Sequence, residues 1–262
     1  PASLLPGVRS IIAVGLDYYQ PASGEAPRVA RYAWGRDYHR IFRRRLDRLV
    51  RQLKAEIPGA EFRITVDSAP ILEREYAHRA GLGWFGKNTM LIDSRRGSWF
   101  LIGLVLTTLD LPASQRSFGG CGTCSNCIDA CPTGAIVQVD GVWQVDARQC
   151  ISYLTIEAPE EADDRVGDWL FGCDVCQEVC PFNHPGPRQP DRATPTGDPD
   201  LISKSALRQM NSQTLSQLSE AEWDVATLGS PLRRQGYIGF RHVLATVSKG
   251  QTHPATDTAR DG

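Results

Sequence analysis

The chain has 262 residues, with 29 Lys and Arg against 30 Asp and Glu, and its net charge of −1 excludes a globally basic nucleic-acid sleeve. Hydrophobic residues make up 41 % and charged ones 23 %, a globular ratio that excludes disorder as the main state. All eight cysteines lie between Cys121 and Cys180, so cysteine belongs to one local device.

From Pro1 to Tyr19 the apolar run covers only Ile11 to Leu16, with no basic leader before it, which is neither a signal peptide nor a membrane span. The chain opens on Pro1 rather than Met, as a fragment would. Nowhere else does an apolar run approach the roughly 20 residues a bilayer crossing needs, and the expected compartment is a reducing cytosol. Ser10 to Tyr19 reads as a buried strand and Pro21 to Pro27 as a loop. From Arg36 to Lys54, Tyr38, Ile41, Phe42, Leu46, Leu49, Val50 and Leu53 recur at helical steps. The same helix carries Arg36, Arg40, Arg43, Arg44, Arg45, Arg48, Arg51 and Lys54 against only Asp37 and Asp47, more cation than solubility requires. Such a local patch can neutralise RNA phosphates even when the whole chain is near neutral.

Glu61 to Val66 reads as the next strand, stopping at Asp67, and Pro70 permits a helix over Ile71 to Arg79. Gly81-x-Gly-x-x-Gly86 has the spacing of a dinucleotide fingerprint, but it follows a helical stretch and leads into strands, so nucleotide binding is not expected. Thr89 to Ile92 and Ser98 to Thr108 read as a hairpin around Arg95–Gly97. Past Pro181 the segment Asn183 to Asp200 reads as irregular. Helices follow near Lys204–Met210, Ser219–Thr227 and Pro231–Val247, then a polar tail. Arg233, Arg234 and Arg241, with Tyr237 and Phe240, form a second candidate RNA patch. The expected class is α+β: a mixed α/β unit over 1–112, a cysteine unit over 113–185, and an irregular and short helical region over 186–262.

The cysteines run Cys121-x2-Cys124-x2-Cys127-x3-Cys131-Pro132 and Cys173-x2-Cys176-x3-Cys180-Pro181, with Cys150 between. This is two-cluster ferredoxin spacing, in which the cysteine before the proline ligates the opposite cluster. One [4Fe–4S] cluster is then expected on Cys121, Cys124, Cys127 and Cys180, and a second on Cys131, Cys150, Cys173 and Cys176. Structural zinc does not use this spacing, and disulfides are disfavoured in a cytosolic chain.

Five ordered motifs, Arg31-Tyr-Ala-Trp-Gly-Arg-Asp-Tyr-His39, Val66-Asp-Ser-Ala-Pro-Ile-Leu-Glu-Arg74, Gly81-Leu-Gly-Trp-Phe-Gly-Lys-Asn88, Cys150-Ile-Ser-Tyr-Leu-Thr-Ile-Glu157 and Gly172 to Asn183, resemble epoxyqueuosine reductases. The resemblance runs from about Pro6 to Asn183 and thinly through Ser230 to Gly250. It implies a nitroreductase-like cobalamin domain joined to a ferredoxin-like one, acting on epoxyqueuosine in the tRNA anticodon stem-loop. It also implies a monomer fed by an external one-electron donor such as a flavodoxin or ferredoxin system. Asp67 falls on the family's catalytic acid. A strand-end carboxylate at an Asp-Ser-Ala-Pro turn suits that role, and a neighbouring corrin with little water would raise its pKa. Read on the residues alone, the same aspartate is an Asx-turn or N-cap. Cobalamin contacts carried over fall on Asp67, Leu91, Ile102, Ser152, Asp174, Val175 and Ala30, and Lys87 and Asn88 are expected to face corrin amides or RNA.

The resemblance implies that the family's usual N-terminal helical segment and longer helical-repeat extension are expected to fall outside this sequence. The sequence departs from the family in placing Ala158-Pro-Glu-Glu-Ala-Asp-Asp164, an acidic stretch that would repel phosphate, where relatives commonly have a basic loop. The competing readings are a corrinoid reductive dehalogenase, whose proton donor is a tyrosine, and an electron-transfer protein without a substrate site.

Overall fold

The computed structural model describes residues 1–21, 27–184, 186, 192–202, 207 and 210–250. Strand β1 (Ser10–Asp17) pairs antiparallel with β6 (Phe100–Thr107), which also pairs antiparallel with β3 (Phe62–Thr65), giving a three-stranded sheet in the order β1-β6-β3. The sequence FLIGLVLT of β6 is apolar throughout because the strand is central and covered on both faces. Helix α1 (Tyr38–Glu56) begins on an Asp37 N-cap and lays Phe42, Leu46 and Val50 across this sheet. The crossing is close at Gly103, where an added Cβ would stand 2.9 Å from Leu46 Cδ1 and 3.1 Å from two Phe42 ring carbons. Gly103→Val should therefore destabilise the fold by about 1–3 kcal/mol, a loss readable as a lower urea midpoint.

The expected hairpin around Arg95–Gly97 does not form. Only an Asp93–Gly97 bridge is present there, and β5 (Leu91–Ile92) pairs instead with β4 (Trp84–Phe85), inside the segment expected to be loop. Strand β6 instead takes β1 and β3 as its partners, eight and four residues long. Helix α2 (Glu73–Arg79) packs against β6 and β1.

The cysteine region holds the short helices α3 (Asn126–Asp129) and α5 (Val175–Glu178), packed together, and a hairpin of β7 (Ile136–Val139) and β8 (Val142–Val145). Helix α4 (Ile151–Ile156) follows Cys150, and β9 (Trp169–Phe171) pairs in parallel with β2 (Arg28–Val29). The C-terminal part contains α6 (Ser212–Gln217), which was not expected, then α7 (Glu220–Ala226), closed by a Ser219–Glu222 capping box, and α8 (Gly236–Gly250). Most of the helix expected near Lys204–Met210 and all of the polar tail lie outside the described residues.

The largest core gathers Val29, Ala33 and Trp34, then Ile151, Leu154, Trp169 and Phe171, then Trp223, Phe240, Val243 and Leu244. Segments from all three expected units thus close over one another. Among the described residues no helix is long and apolar enough to cross a membrane.

Candidate functional site

All eight cysteines are free thiols. Cys121, Cys124, Cys127 and Cys180 line a single cavity together with Asn88, Ile92, Asn126, Pro181 and Phe182. Burial pushes the Cys127 thiol up to about 11, with Cys121, Cys180 and Cys124 adding to the rise. Burial likewise pushes Cys173 up to about 12, and Cys150 influences both Cys173 and Cys176. Burial would raise Cys131 too, but the Thr133 hydroxyl and the amides of Thr133, Ala135 and Ile136 bring it below the ordinary value. Among the described residues no three His, Cys, Asp or Glu side chains converge on a point that would hold one metal ion. Four thiols spread around a shared cavity fit a multinuclear cluster instead.

Asn183 locks the last cysteine turn to the α/β part. Its Oδ1 accepts the Ser98 N–H at 2.7 Å, and its amide donates to Ser98 Oγ at 3.0 Å and the Gln177 carbonyl at 2.8 Å. Gly97 must be glycine here, for its φ is +78° and a Cβ would fall 1.9 Å from Asn183 Oδ1.

At the end of β3 the chain turns sharply, and Asp67 adopts a φ of +60°. Its N–H donates to both carboxylate oxygens of Glu73 at 2.9 Å, fixing the turn against the start of α2. The Asp67 carboxylate is 60 % exposed and meets His39 Nε2 at 2.9 Å. On its other side His39 Nδ1 meets Asp37 Oδ1 at 2.8 Å, and the imidazole stacks on Tyr38 with ring centroids 4.0 Å apart. An imidazole between two carboxylates holds its proton, so hydrogen bonds to Asp37 and then Asp67 raise His39 to about 9. The hydrogen bond from His39 keeps Asp67 below its ordinary value. In this arrangement the pair's proton sits on His39. Tyr32 lies within electrostatic reach of Asp67, Asp174, Glu157 and Arg234, and its ring packs between Tyr38 and Phe171.

Arg31 joins this side of the site to the second cysteine motif. Its backbone N–H and guanidinium reach Asp174 Oδ2 at 2.8 and 2.9 Å, and the guanidinium also reaches Glu178 Oε1 at 2.6 Å. The Arg31 and Asp174 side chains are 5 % and 2 % exposed. Burial pushes the Asp174 carboxyl up to about 6 against the pull of Arg31.

Of the residues expected to touch a corrin, Ala30, Leu91 and Asp174 are covered by their own neighbours, at 1, 3 and 2 % exposure. Ile102, Ser152 and Val175 keep partial exposure, and Asp67 keeps the most. Lys87 and Asn88 turn toward the cysteine loops rather than outward: Lys87 Nζ donates to the Cys124 carbonyl at 2.8 Å and Asn88 Nδ2 to the Cys176 carbonyl at 3.2 Å.

The basic helix keeps part of its charge. Arg36 and Arg44 pair with Asp200 and Arg45 with Asp198, whereas Arg43, Arg48, Arg51 and Lys54 remain exposed. The residues of the second expected patch make internal contacts, although Arg233, Arg234 and Arg241 stay exposed. Arg233 pairs with Asp224, Arg234 with Glu157, Arg241 donates to the Ser216 carbonyl, and Phe240 is buried. The acidic stretch after Glu157 is docked, with Ala158, Pro159 and Ala162 buried and the Ala162 carbonyl bonded to His242.

Sequence reading missed the roles of Asp37, His39, Arg31 and Lys87. All four stand in the motifs named above, but the partners of His39, Lys87 and Arg31 lie 28 to 147 positions away, and Asp37 caps a helix that starts at Tyr38, two residues past the expected Arg36.

Comparison with known proteins finds a family model described as "Epoxyqueuosine reductase QueG, DUF1730" matching residues 1–68, and a "4Fe-4S double cluster binding domain" matching residues 120–183. The epoxyqueuosine reductase of Synechococcus sp. (strain CC9605) is 43 % identical over 243 residues, covering 89 % of this chain and 72 % of the relative. That of Pseudomonas aeruginosa is 42 % identical over 258 residues, covering 94 % and 69 %. A crystal structure of epoxyqueuosine reductase with an epoxyqueuosine-modified tRNA-Tyr stem loop superposes with a TM-score of 0.78 at 28 % identity, over 95 % of this chain and 66 % of that one. The Bacillus subtilis enzyme, with its catalytic aspartate loop swung out of the active site, gives 0.79 at 26 % identity over 95 % and 66 %. The chain thus spans about two thirds of the length of the solved structures it matches.

Proposed function

This chain belongs to the epoxyqueuosine reductase family, and from that premise we propose that it reduces epoxyqueuosine to queuosine at the wobble position of tRNA. The observation that carries this reading is the cavity walled by four cysteines in a chain that also presents an exposed, histidine-paired aspartate at a strand end. On this reading Cys121, Cys124, Cys127 and Cys180 hold one [4Fe–4S] cluster, and Cys131, Cys150, Cys173 and Cys176 hold the other. Cobalamin, when bound, would supply the reducing cobalt chemistry needed to break the epoxide carbon–oxygen bond. Ile102, Ser152, Val175 and Asp67 keep exposed surface that could hold it, whereas Ala30, Leu91 and Asp174 are buried. The sheet with α1 and α2 is the nitroreductase-like half, and the cysteine region is the ferredoxin-like one.

Removing an epoxide oxygen as water consumes two electrons and two protons. An external one-electron donor of the flavodoxin or ferredoxin kind provides the electrons. The imidazolium of His39 passes its proton through Asp67 to the departing oxygen, and solvent supplies the second proton. His39 is held in turn by Asp37, so the proton has a fixed address. The sign of the pH dependence follows: His39 stays charged up to about pH 9, and turnover falls as pH rises through that value. The ion pair's contribution to stability is complete below about pH 6.5 and is lost over the same rise. His39→Gln should abolish the limb near pH 9 and lower turnover at pH 8 by about 100-fold. A pH–rate profile unchanged from that of the unmodified chain excludes the relay.

The tRNA anticodon stem-loop docks along α1, which starts beside Asp67 and carries Arg43, Arg48, Arg51 and Lys54 away from it over about 20 Å. The setting is a cytoplasmic monomer. The reading is tested by reconstituting the chain anaerobically with iron, sulfide and cobalamin and recording its visible spectrum after gel filtration. Retained corrin alongside iron is expected; iron without corrin leaves only an electron-transfer protein.

A further inference from the structure

The loop between β4 and β5 grips both cysteine motifs through two adjacent residues. The Lys87 backbone N–H points at Cys121 Sγ at 3.5 Å, while its ammonium donates to the Cys124 carbonyl at 2.8 Å. The same ammonium lies 5.5 Å from the centre of the Trp143 ring on β8. Beside it Asn88, 2 % exposed, lines the cavity shared by Cys121, Cys124, Cys127 and Cys180 and ties it to the Cys176 carbonyl. Among the described residues Lys87 has no carboxylate partner; a carbonyl and an aromatic face hold it in place.

This cation is held on the backbone of Cys124, and its own amide lies against the Cys121 thiol, so it stands beside two of the four expected ligands. Resting on the cluster reading above, we propose that Lys87 sets the reduction potential of the cluster on Cys121, Cys124, Cys127 and Cys180 by stabilising its reduced form. Reduction adds one electron to a site that already carries four thiolates. Each added negative charge is favoured by a nearby cation that cannot swing away into water. The N–H···S contact acts in the same direction. Lys87 touches neither substrate nor corrin in this role; it is a positioning residue whose effect is read in a potential.

The test is an anaerobic redox titration of the reconstituted full chain, followed by electron paramagnetic resonance. Lys87→Gln keeps a donor for the Cys124 carbonyl but removes the charge, and Lys87→Arg keeps the charge. Lys87→Gln should lower one of the two midpoint potentials by about 59 mV, tenfold in the one-electron equilibrium, and leave the other in place. Lys87→Arg should stay near the unmodified value. Unmoved midpoints in Lys87→Gln, or equal shifts in both variants, overturn the role. Should Lys87→Gln fail to assemble this cluster, assembly in Lys87→Arg supports the requirement for a cation, and failure there as well overturns it. An unmodified chain showing no cluster signal overturns the cluster reading itself, whereas unmoved potentials with both clusters present overturn only the role of Lys87.

Discussion

Asp67→Asn should leave iron and corrin content intact while lowering epoxyqueuosine turnover by about 10²- to 10⁴-fold, the range for loss of a positioned proton donor. Asparagine tolerates the left-handed backbone that Asp67 occupies at a φ of +60°, so the turn and its bonds to Glu73 survive the change. The residue lies outside both cysteine motifs, so no cluster ligand is lost. The amide still accepts a hydrogen bond from His39, yet it cannot take up the imidazolium proton and hand it on. His39, deprived of one of its two carboxylates, should also titrate closer to its ordinary range. Single-turnover assays by mass spectrometry of the digested RNA read the loss directly. Turnover within a few-fold of the unmodified chain would remove Asp67 from the proton path.

The largest effect on stability is expected at Arg31. Arg31→Met leaves Asp174 and Glu178 without the guanidinium that bridges them, at a site where the Arg31–Asp174 pair is all but fully buried. Breaking a buried pair from one side costs about 3–5 kcal/mol, because the orphaned charge has no water to turn to. The backbone bond from the Arg31 N–H to Asp174 remains, so the local fold is weakened rather than erased. The double variant Arg31→Met with Asp174→Asn removes both charges and should recover most of the loss. Chemical denaturation of the three chains checks this. Equal stability of the single variant and the unmodified chain contradicts the assignment of a central tie to this network.

How far the structure is legible in the sequence depends on the distance over which each feature is decided. The cysteine spacing is local, and the cavity built by Cys121, Cys124, Cys127 and Cys180 has the membership the ferredoxin template assigns. The period of α1 is local as well, and Phe42, Leu46 and Val50 take the buried face it predicts. The partner of β6 is not local: an apolar run announces a buried strand without saying that β1 and β3 will flank it. The same holds for charge: that Arg234 meets Glu157 and Arg241 the Ser216 carbonyl is decided by partners 77 and 25 positions away. The His39 that shares its proton with Asp67 likewise stands 28 positions earlier.

On the proposed reading, two iron–sulfur clusters and proton delivery at Asp67 together remove one oxygen from a modified tRNA base. A stem-loop RNA carrying epoxyqueuosine, incubated with the anaerobically reconstituted chain, cobalamin and a one-electron reductant, tests it most directly. A chain holding about eight iron atoms should convert the nucleoside to one lighter by a single oxygen atom. A chain that holds that iron and the corrin, yet leaves the nucleoside mass unchanged, contradicts it.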